Sequence, residues 1–528
     1  MPSLKTIKQQ KALKVSKNAA TQMLGRILYL ATRVALPPFI LHYISLEEYG
    51  IWATCWIIIG YVGMGAFGVS NVYVRYVAEY NATNRHKEIG PLLGAGLSIT
   101  IIFSVITLLG LWFSLSWLYA AFKIPPHLQQ TAAILILGTV ATMLLDMTFG
   151  AFAYVLQGLQ KITQQTVVWI ASYLLETLMM VVMMMQGWGV TSLLLAFVVR
   201  YLLATLIYVV LCYRAIPGLK IQLRGVRWET FQLFFRYGGM MQISGLLSVF
   251  LYSCERLVAG TLTGVSAVVL LDIGQKFPMM STQVFSSATN SLLTALTHYH
   301  SLNQKDEIIR LYLRASRYLN LLNGCALGFM APFAVPILNA WVGDNPAYHE
   351  AGIIFVCAAA GYHLHALTGP ASTYFQGITR PGSAIWGYLV PQMFLLGAGL
   401  EGAYSVLGHT ILAVVAAATG ARILSSGLFL LYTNSQLGVG QWRWIRQALL
   451  PGLAPYGVGY GLAVASQGFL HQLGTGRLVL IPALAALLVV YAIVLFIVFY
   501  IVFCQPDERQ TIKRLLGKVI PLGMGRSG

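Results

Sequence analysis

Charge is what this chain has least of. Only 9% of its residues are Asp, Glu, Lys or Arg, against roughly 25% in a soluble globular domain. Acidic residues are the scarcer sign, 16 against 34 basic. No stretch of even about 60 residues has the polar surface of an independent soluble domain. Cysteine is also sparse. The six (Cys55, Cys212, Cys254, Cys325, Cys357, Cys504) are scattered through apolar runs and never form C-x-x-C. They read as small buried hydrophobes, not as disulfides or metal ligands. No cleavable signal peptide is visible, because the first apolar run begins near Asn18 and is too long for one, so it reads as a signal anchor.

What is abundant is hydrocarbon. The chain is 57% hydrophobic with a mean hydropathy of +0.71, and its 528 residues leave room for about a dozen spans of roughly 20 residues. The reading is an all-α integral membrane protein with about fourteen transmembrane helices. The first six spans are 18–41, 50–74, 91–120, 131–156, 164–186 and 190–213. The next six are 234–258, 264–297, 309–340, 350–375, 382–400 and 405–432, and 448–470 and 478–504 come last.

The connections carry an orientation signal. Under this map 26 basic residues fall in the tails and loops of one side, while the other side has only Lys123 and Arg477. Cytoplasmic loops hold the Lys and Arg excess, so both termini are expected in the cytoplasm. The net charge of +18 then faces anionic lipid headgroups, and no nucleic-acid partner is needed to explain it. The C-terminal "PDERQTIKRLLGKVIPLG" reads as a short interfacial amphipathic helix.

One cytoplasmic exit is written twice. "NVYVRYVAEYNATNRHKEI" (71–89) and "NSLLTALTHYHSLNQKDEI" (290–308) align without a gap, 219 residues apart, matching Asn71, Tyr80, Asn84, Glu88 and Ile89. Both copies leave an even-numbered span on the same side, so spans one to six and seven to twelve correspond in parallel, as in transporters with two lobes. The expected organisation is a basic tail (1–17), an N-lobe (18–213), a cytoplasmic linker (214–233), a C-lobe (234–432), two extra helices (448–504) and a cytoplasmic tail (505–528).

Ionisable residues inside spans cost about 2.5–3.5 kcal/mol each on insertion scales and mark function by default. The bases are Arg26, Arg33, Arg200, Arg256, Lys276 and Arg422, and the acids are Asp146, Glu176, Glu255 and Asp272. They crowd into half of the spans, which implies a shared wet interior with a modest cationic excess and an anionic substrate. Arg26 and Arg33, seven apart, lie on one face of the first span. Pro37 and Pro38 just beyond them are expected to break or bend that helix as a gate. Asp272 and Lys276 stand one turn apart and neutralise each other on this reading, while Glu255 and Arg256 fall near the outer rim, where they are either solvated or act in gating. Asp146 and Glu176 are the candidates for proton or sodium coupling, with Asp272 as counter-charge. Tyr73 and Tyr76 are candidates for stacking on sugar rings. His363 and His365, two apart on a helix, point in different directions and read as core or cavity polar groups, not as zinc ligands.

The stretch "EYGIWATCWIIIGYVGMGAFGVSNVYVRYVAEYN" (48–81), with its Glu48-Tyr49-Gly50 start and Arg75-Tyr76 exit, resembles polysaccharide transporters of the Wzx flippase type. These belong to the multidrug/oligosaccharidyl-lipid/polysaccharide exporter superfamily. "AYVLQGLQKI" (153–162) is similar to the same family. The resemblance implies two six-helix lobes in a V that rock between inward-open and outward-open states. It implies a polyprenyl-diphosphate-linked oligosaccharide, an O-antigen or exopolysaccharide repeat unit, moved from the cytoplasmic to the periplasmic leaflet of the bacterial inner membrane. It also implies a polysaccharide polymerase and chain-length machinery as partners, and no cofactor beyond a coupling ion. The family's cationic cavity corresponds best to Arg26 and Arg33, then to Arg200 and Arg256, with Lys276 a further cavity cation. The two extra helices resemble those of the longer lipid II flippases, where they form a lipid-facing groove.

Two competing readings remain at this stage. A drug or cation antiporter of the same superfamily would prefer an acidic cavity. A membrane polymerase or ligase would need a large outer loop with clustered carboxylates, whereas the outer loops here are short.

Overall fold

The computed structural model describes residues 25, 28–63, 69–222, 228–234, 253–286, 290–378, 380 and 382–503. Among these residues the chain is helical, with no strand. The first helices are α1 (28–43), α2 (Leu46–Gly63), α3 (Val69–Ala82), α4 (Ile89–Ala121), α5 (Gln129–Phe149), α6 (Ala151–Gly158), α7 (Ile162–Met185) and α8 (Thr191–Ala215). After the short α9 (Trp228–Leu233) come α10 (253–263), α11 (Val265–Ser286), α12 (Asn290–Ser301), α13 (Lys305–Met330), α14 (Ala334–Val342) and α15 (His349–Gly377). The last four are α16 (Gly382–Leu407), α17 (Ile411–Leu437), α18 (Gln441–Leu473) and α19 (Arg477–Val502).

Nine described helices are long and apolar enough to cross a bilayer, and the bent pair α13–α14 makes a tenth. The expected spans one, two, seven and eight fall partly outside the described residues. The outer face of α4 shows why these helices need lipid. Ile102, Ile106, Leu109 and Phe113, spaced three to four apart, are all more than half exposed. Such an uncovered apolar stripe is the face a helix turns to hydrocarbon.

Prolines act differently in two of the helices. Span nine is bent by 71° where α13 gives way to α14, because Pro332 interrupts the helix there. Pro37 and Pro38 do not break α1, which runs on to residue 43. Proline's fixed backbone angle is already helical, and its cost is the missing N–H together with the clash of its ring with the carbonyl four residues earlier. Pro37 therefore leaves the Arg33 carbonyl without its intrahelical donor.

By contacts the chain falls into two compact units. The first takes the described residues up to Ile273 together with Leu400–Ala417, and the second takes Gly274–Gly399 and the described residues from Ala418 onward. The motif "EYG" is explained within the first. Ser45 and Glu48 cap α2 reciprocally: the Glu48 carboxylate accepts from the Ser45 amide at 2.9 Å, and the Glu48 amide donates to Ser45 Oγ at 3.2 Å. The Tyr49 hydroxyl donates to Asp272 Oδ2 at 3.2 Å. Gly50 allows α11 to close in, since a Cβ there would lie 2.5 Å from the Val265 carbonyl oxygen.

The sequence repeat folds as a repeat. Asn84 and Asn303, 219 residues apart, both adopt φ of 55°, the left-handed conformation that asparagine tolerates better than most residues. The turn bonds match, Arg85 N to Tyr80 O at 2.7 Å and Gln304 N to Tyr299 O at 3.0 Å. The same offset relates "LQGLQK" (156–161) to "FQGITR" (375–380). The amides of Lys161 and Arg380 bond back to the carbonyls of Leu156 and Phe375, both at 2.8 Å. Gly158 packs on Val77, and Gly377 packs on Leu296, the residue 219 further along.

In the second unit α18 is locked to α13 through glycines. A Cβ on Gly324 would lie 2.0 Å from the Gly452 carbonyl oxygen, and one on Gly459 would lie 1.9 Å from that of Gly328. Small residues let backbones touch, which is how helices associate in lipid. The π turn Ile445–Leu449 leaves carbonyls of Ala448 and Leu449 for the Asn320 amide, which donates to them at 2.6 and 2.7 Å. Asn320 Oδ1 is bonded in turn to His363 Nε2, and Tyr456 on α18 bonds His363 Nδ1 at 3.1 Å. Gly324→Val is expected to cost about 3 kcal/mol or more through overpacking and to lower the thermal unfolding midpoint of the protein in detergent. A neutral result would mean that the seam is not closed.

Candidate functional site

The ionisable residues of the first unit meet around α1, α5, α7 and α8. Each of these helices is apolar along most of its length, so a charge placed mid-helix must find its partner on a neighbouring helix. Glu176 on α7 and Arg200 on α8 do so: Arg200 Nη1 donates to Glu176 Oε2 at 2.7 Å, with both side chains 7% exposed. The Arg200 guanidinium also lies over Tyr173 and Tyr201, 5.0 and 4.7 Å from their ring centres. Cations gain from aromatic faces most where water is excluded.

Arg33 on α1 stands differently. Its guanidinium lies 5.1 Å from the Tyr29 ring centre and 4.8 Å from that of Trp56 on α2. Among the described residues no carboxylate lies within salt-bridge distance of it, and its Nε has no hydrogen-bond partner. Glu176 attracts it from further off. Thr32, the preceding residue, shares a hydrogen bond with Tyr173, and Trp169 stacks on Tyr173 at 5.8 Å. Tyr173 therefore touches both cation sites. Asp146 on α5 is half-buried and within electrostatic reach of Arg200, yet it makes no ion pair among the described residues.

A second charged group sits on the same unit. Asp272 on α11 accepts from Tyr49 and pairs with Arg256 on α10 at 3.5 Å. Tyr49 is in turn within electrostatic reach of Arg33. Asp272 is thus shared by Tyr49 and Arg256, a partnership that the i, i+4 relation to Lys276 did not disclose. Glu255 is buried at 3% exposed, so it is not a solvated rim residue. Lys276, buried on α11, belongs to the second unit. Arg26 lies outside the described residues.

The structure therefore gathers Arg33, Glu176, Arg200 and Asp146 into one site, with Asp272 and Arg256 beside it. It adds an aromatic wall of Tyr29, Trp56, Tyr173 and Tyr201 that charge-based reading missed. Tyr29 was legible as the i−4 neighbour of Arg33 on one helix face, and Tyr201 as the residue next to Arg200. Trp56 carries no such signal. Tyr73 is corrected: it is 1% exposed, donates to the Leu93 carbonyl at 3.3 Å and packs edge-on to Phe234. A ring sealed in this way holds the core and has no face for a sugar.

The sequence pattern of a family described as polysaccharide biosynthesis protein matches residues 42–347. No curated protein matches the chain by sequence. Among solved structures, the chain is similar to the lipid II flippase MurJ in an inward closed conformation, with a TM-score of 0.65 and 10% identity over 94% of this chain and 99% of that one. It is similar to an inward-facing multidrug resistance MATE family transporter of the MOP superfamily, with a TM-score of 0.63 and 14% identity, over 78% of this chain and 98% of the other. A MOP superfamily transporter from Pyrococcus furiosus, described by a binding pocket of reversed polarity, gives 0.51 and 14%, over 81% and 94%. At such identities the likeness concerns the fold, which is that of MOP superfamily transporters.

Proposed function

The chain belongs to the polysaccharide biosynthesis protein family, and on that premise we propose that it flips a polyprenyl-diphosphate-linked oligosaccharide, an O-antigen or exopolysaccharide repeat unit, from the cytoplasmic to the periplasmic leaflet of the bacterial inner membrane. The observation that carries this reading is Arg33. A guanidinium held between two aromatic faces, with no carboxylate within salt-bridge distance among the described residues, is a cation kept for an outside anion. A diphosphate suits it, because guanidinium forks match phosphate oxygens. The polyprenyl tail stays in lipid while the headgroup passes the polar site. Both termini lie in the cytoplasm on this reading, and a polymerase with its chain-length machinery receives the product outside. Deleting the gene is expected to leave lipid-linked glycan accumulating in the inner leaflet. Accumulation in the outer leaflet instead would assign the chain to polymerisation.

Ion coupling is assigned to Asp146. A half-buried carboxylate close to Arg200 but not paired with it can exchange a proton or bind sodium without breaking the Glu176–Arg200 bond. Asp146→Asn is expected to lower ion-driven export by about tenfold, the scale of losing one charged hydrogen-bond partner, and to leave headgroup binding intact. Undiminished, ion-dependent export by that variant would move the coupling role elsewhere.

A further inference from the structure

The internal repeat supplies its own control, because residues required for the fold should recur in both copies. After the shared turn, the first unit opens α7 as a regular α-helix through Thr163, Gln164, Val167 and Val168. At the same offset the second unit has Gly382, Ser383, Trp386 and Gly387, and Ile385–Leu389 winds as a π turn. Each glycine costs a helix about 1 kcal/mol relative to alanine, and single π turns concentrate at functional sites. The fold does not need this departure, since the first unit manages without it.

What the departure produces is a hollow of about 460 Å³ lined by Gly382, Ser383, Trp386, Gly387 and Tyr432. The missing side chain at Gly387 shapes its floor: a Cβ there would lie 3.2 Å from Phe429 and 3.7 Å from the Tyr432 ring. Tyr432 is held flat by Phe375, stacked at 5.6 Å and 15°. Trp386 is 73% exposed and Tyr432 41%, so both rings remain open to a ligand. The exposed Arg380 lies within electrostatic reach of the Tyr374 hydroxyl, which is itself in reach of Tyr432.

We propose that this hollow is a carbohydrate subsite that takes one hexopyranose ring of the transported headgroup. The C–H face of the sugar lies against Trp386 and Tyr432, and its hydroxyls bond to Ser383 and to the Tyr432 hydroxyl, with Arg380 at the rim for an acidic sugar or the phosphate next to it. Aromatic faces attract C–H edges, and ligand sites of a few hundred Å³ combine such walls with a few placed polar groups. An interfacial aromatic belt also uses Trp and Tyr, but a belt needs neither a glycine floor nor a π turn. The source of the sugar rests on the flippase reading, whereas the binding itself does not.

The test uses the full-length protein in detergent micelles and saturation-transfer NMR with methyl α-D-glucopyranoside, methyl α-D-galactopyranoside and N-acetylglucosamine as probes. Wild type is expected to give ring-proton signals for at least one of them. Trp386→Ala, at an exposed position that should not disturb folding, is expected to weaken binding roughly tenfold, the scale of one aromatic stacking contact. Gly387→Val, which restores the residue the first unit has at Val168, should give the same loss by filling the floor. Trp442→Ala, at another exposed aromatic (71%), should change nothing. No signal in wild type, or an undiminished signal in Trp386→Ala, overturns the proposal. So does loss of the wild-type signal in phosphatidylglycerol nanodiscs, which would assign the hollow to lipid headgroups. If sugar binding depends on Trp386 but no lipid-linked glycan crosses reconstituted vesicles, the transport reading fails and the subsite stands. If glycan crosses and sugars do not bind, only the subsite falls.

Discussion

Arg33→Ala is expected to export lipid-linked glycan at a tenth to a hundredth of the wild-type rate while the protein still folds and inserts. The rate follows from losing a charge-assisted bond to the diphosphate, worth about 1.5–3 kcal/mol, or roughly tenfold to a hundredfold. Folding should survive because Arg33 is only half-buried and removing it strands no buried carboxylate close by. Arg33→Lys separates charge from shape. Lysine keeps the positive charge but presents no flat fork to Tyr29, Trp56 and the phosphate, so partial export is expected. Pulse-labelled glycan reaching the outer leaflet, normalised to membrane-inserted protein, checks both variants. Equal export in wild type and Arg33→Ala would remove this residue from the transport path.

The Glu176–Arg200 pair should behave in the opposite way, with stability as the large effect. Both side chains are 7% exposed and joined at 2.7 Å, so truncating either leaves a buried charge uncompensated, at about 3–5 kcal/mol. Glu176→Leu and Arg200→Met are therefore each expected to lower the unfolding midpoint in detergent sharply. The double variant should recover most of it, because apolar replacement of a buried ion pair is often neutral or stabilising. Export should not return with the fold if the pair holds Tyr173 and Tyr201 in place around the cation site. Full stability in either single variant would show that water reaches the pair, contrary to its burial.

The repeat was legible in the sequence because it rests on backbone demands. Asn84 and Asn303 recur where a left-handed residue is required, and Gly158 and Gly377 recur where helices touch. The charged residues of the site were legible as types and positions, since a mid-span charge is rare enough to notice. Their pairing was not. Four acids and several bases spread over different helices admit many neutralising schemes, and only packing shows Glu176 against Arg200 and Asp272 against Arg256. The i, i+4 rule pointed to Lys276 and, considering one helix at a time, could not see the Arg256 and Tyr49 contacts that Asp272 also makes. The aromatic wall was missed for a related reason. Tyrosine is abundant here, 28 residues, and composition does not separate a sealed Tyr73 from a Tyr173 that borders two cations. At Pro37 and Pro38 the alternative of a break is removed, because α1 runs on to residue 43.

The most direct test is translocation by the purified protein. It would be reconstituted into liposomes with a polyprenyl-diphosphate-linked oligosaccharide carrying a fluorescent sugar, and the fraction of label accessible to an external quencher followed in time. The account predicts label appearing across the bilayer with wild type and a tenfold or greater slowing with Arg33→Ala, about 1.4 kcal/mol per decade. Label that stays on its starting leaflet with wild type, under an imposed proton or sodium gradient of either sign, would contradict it.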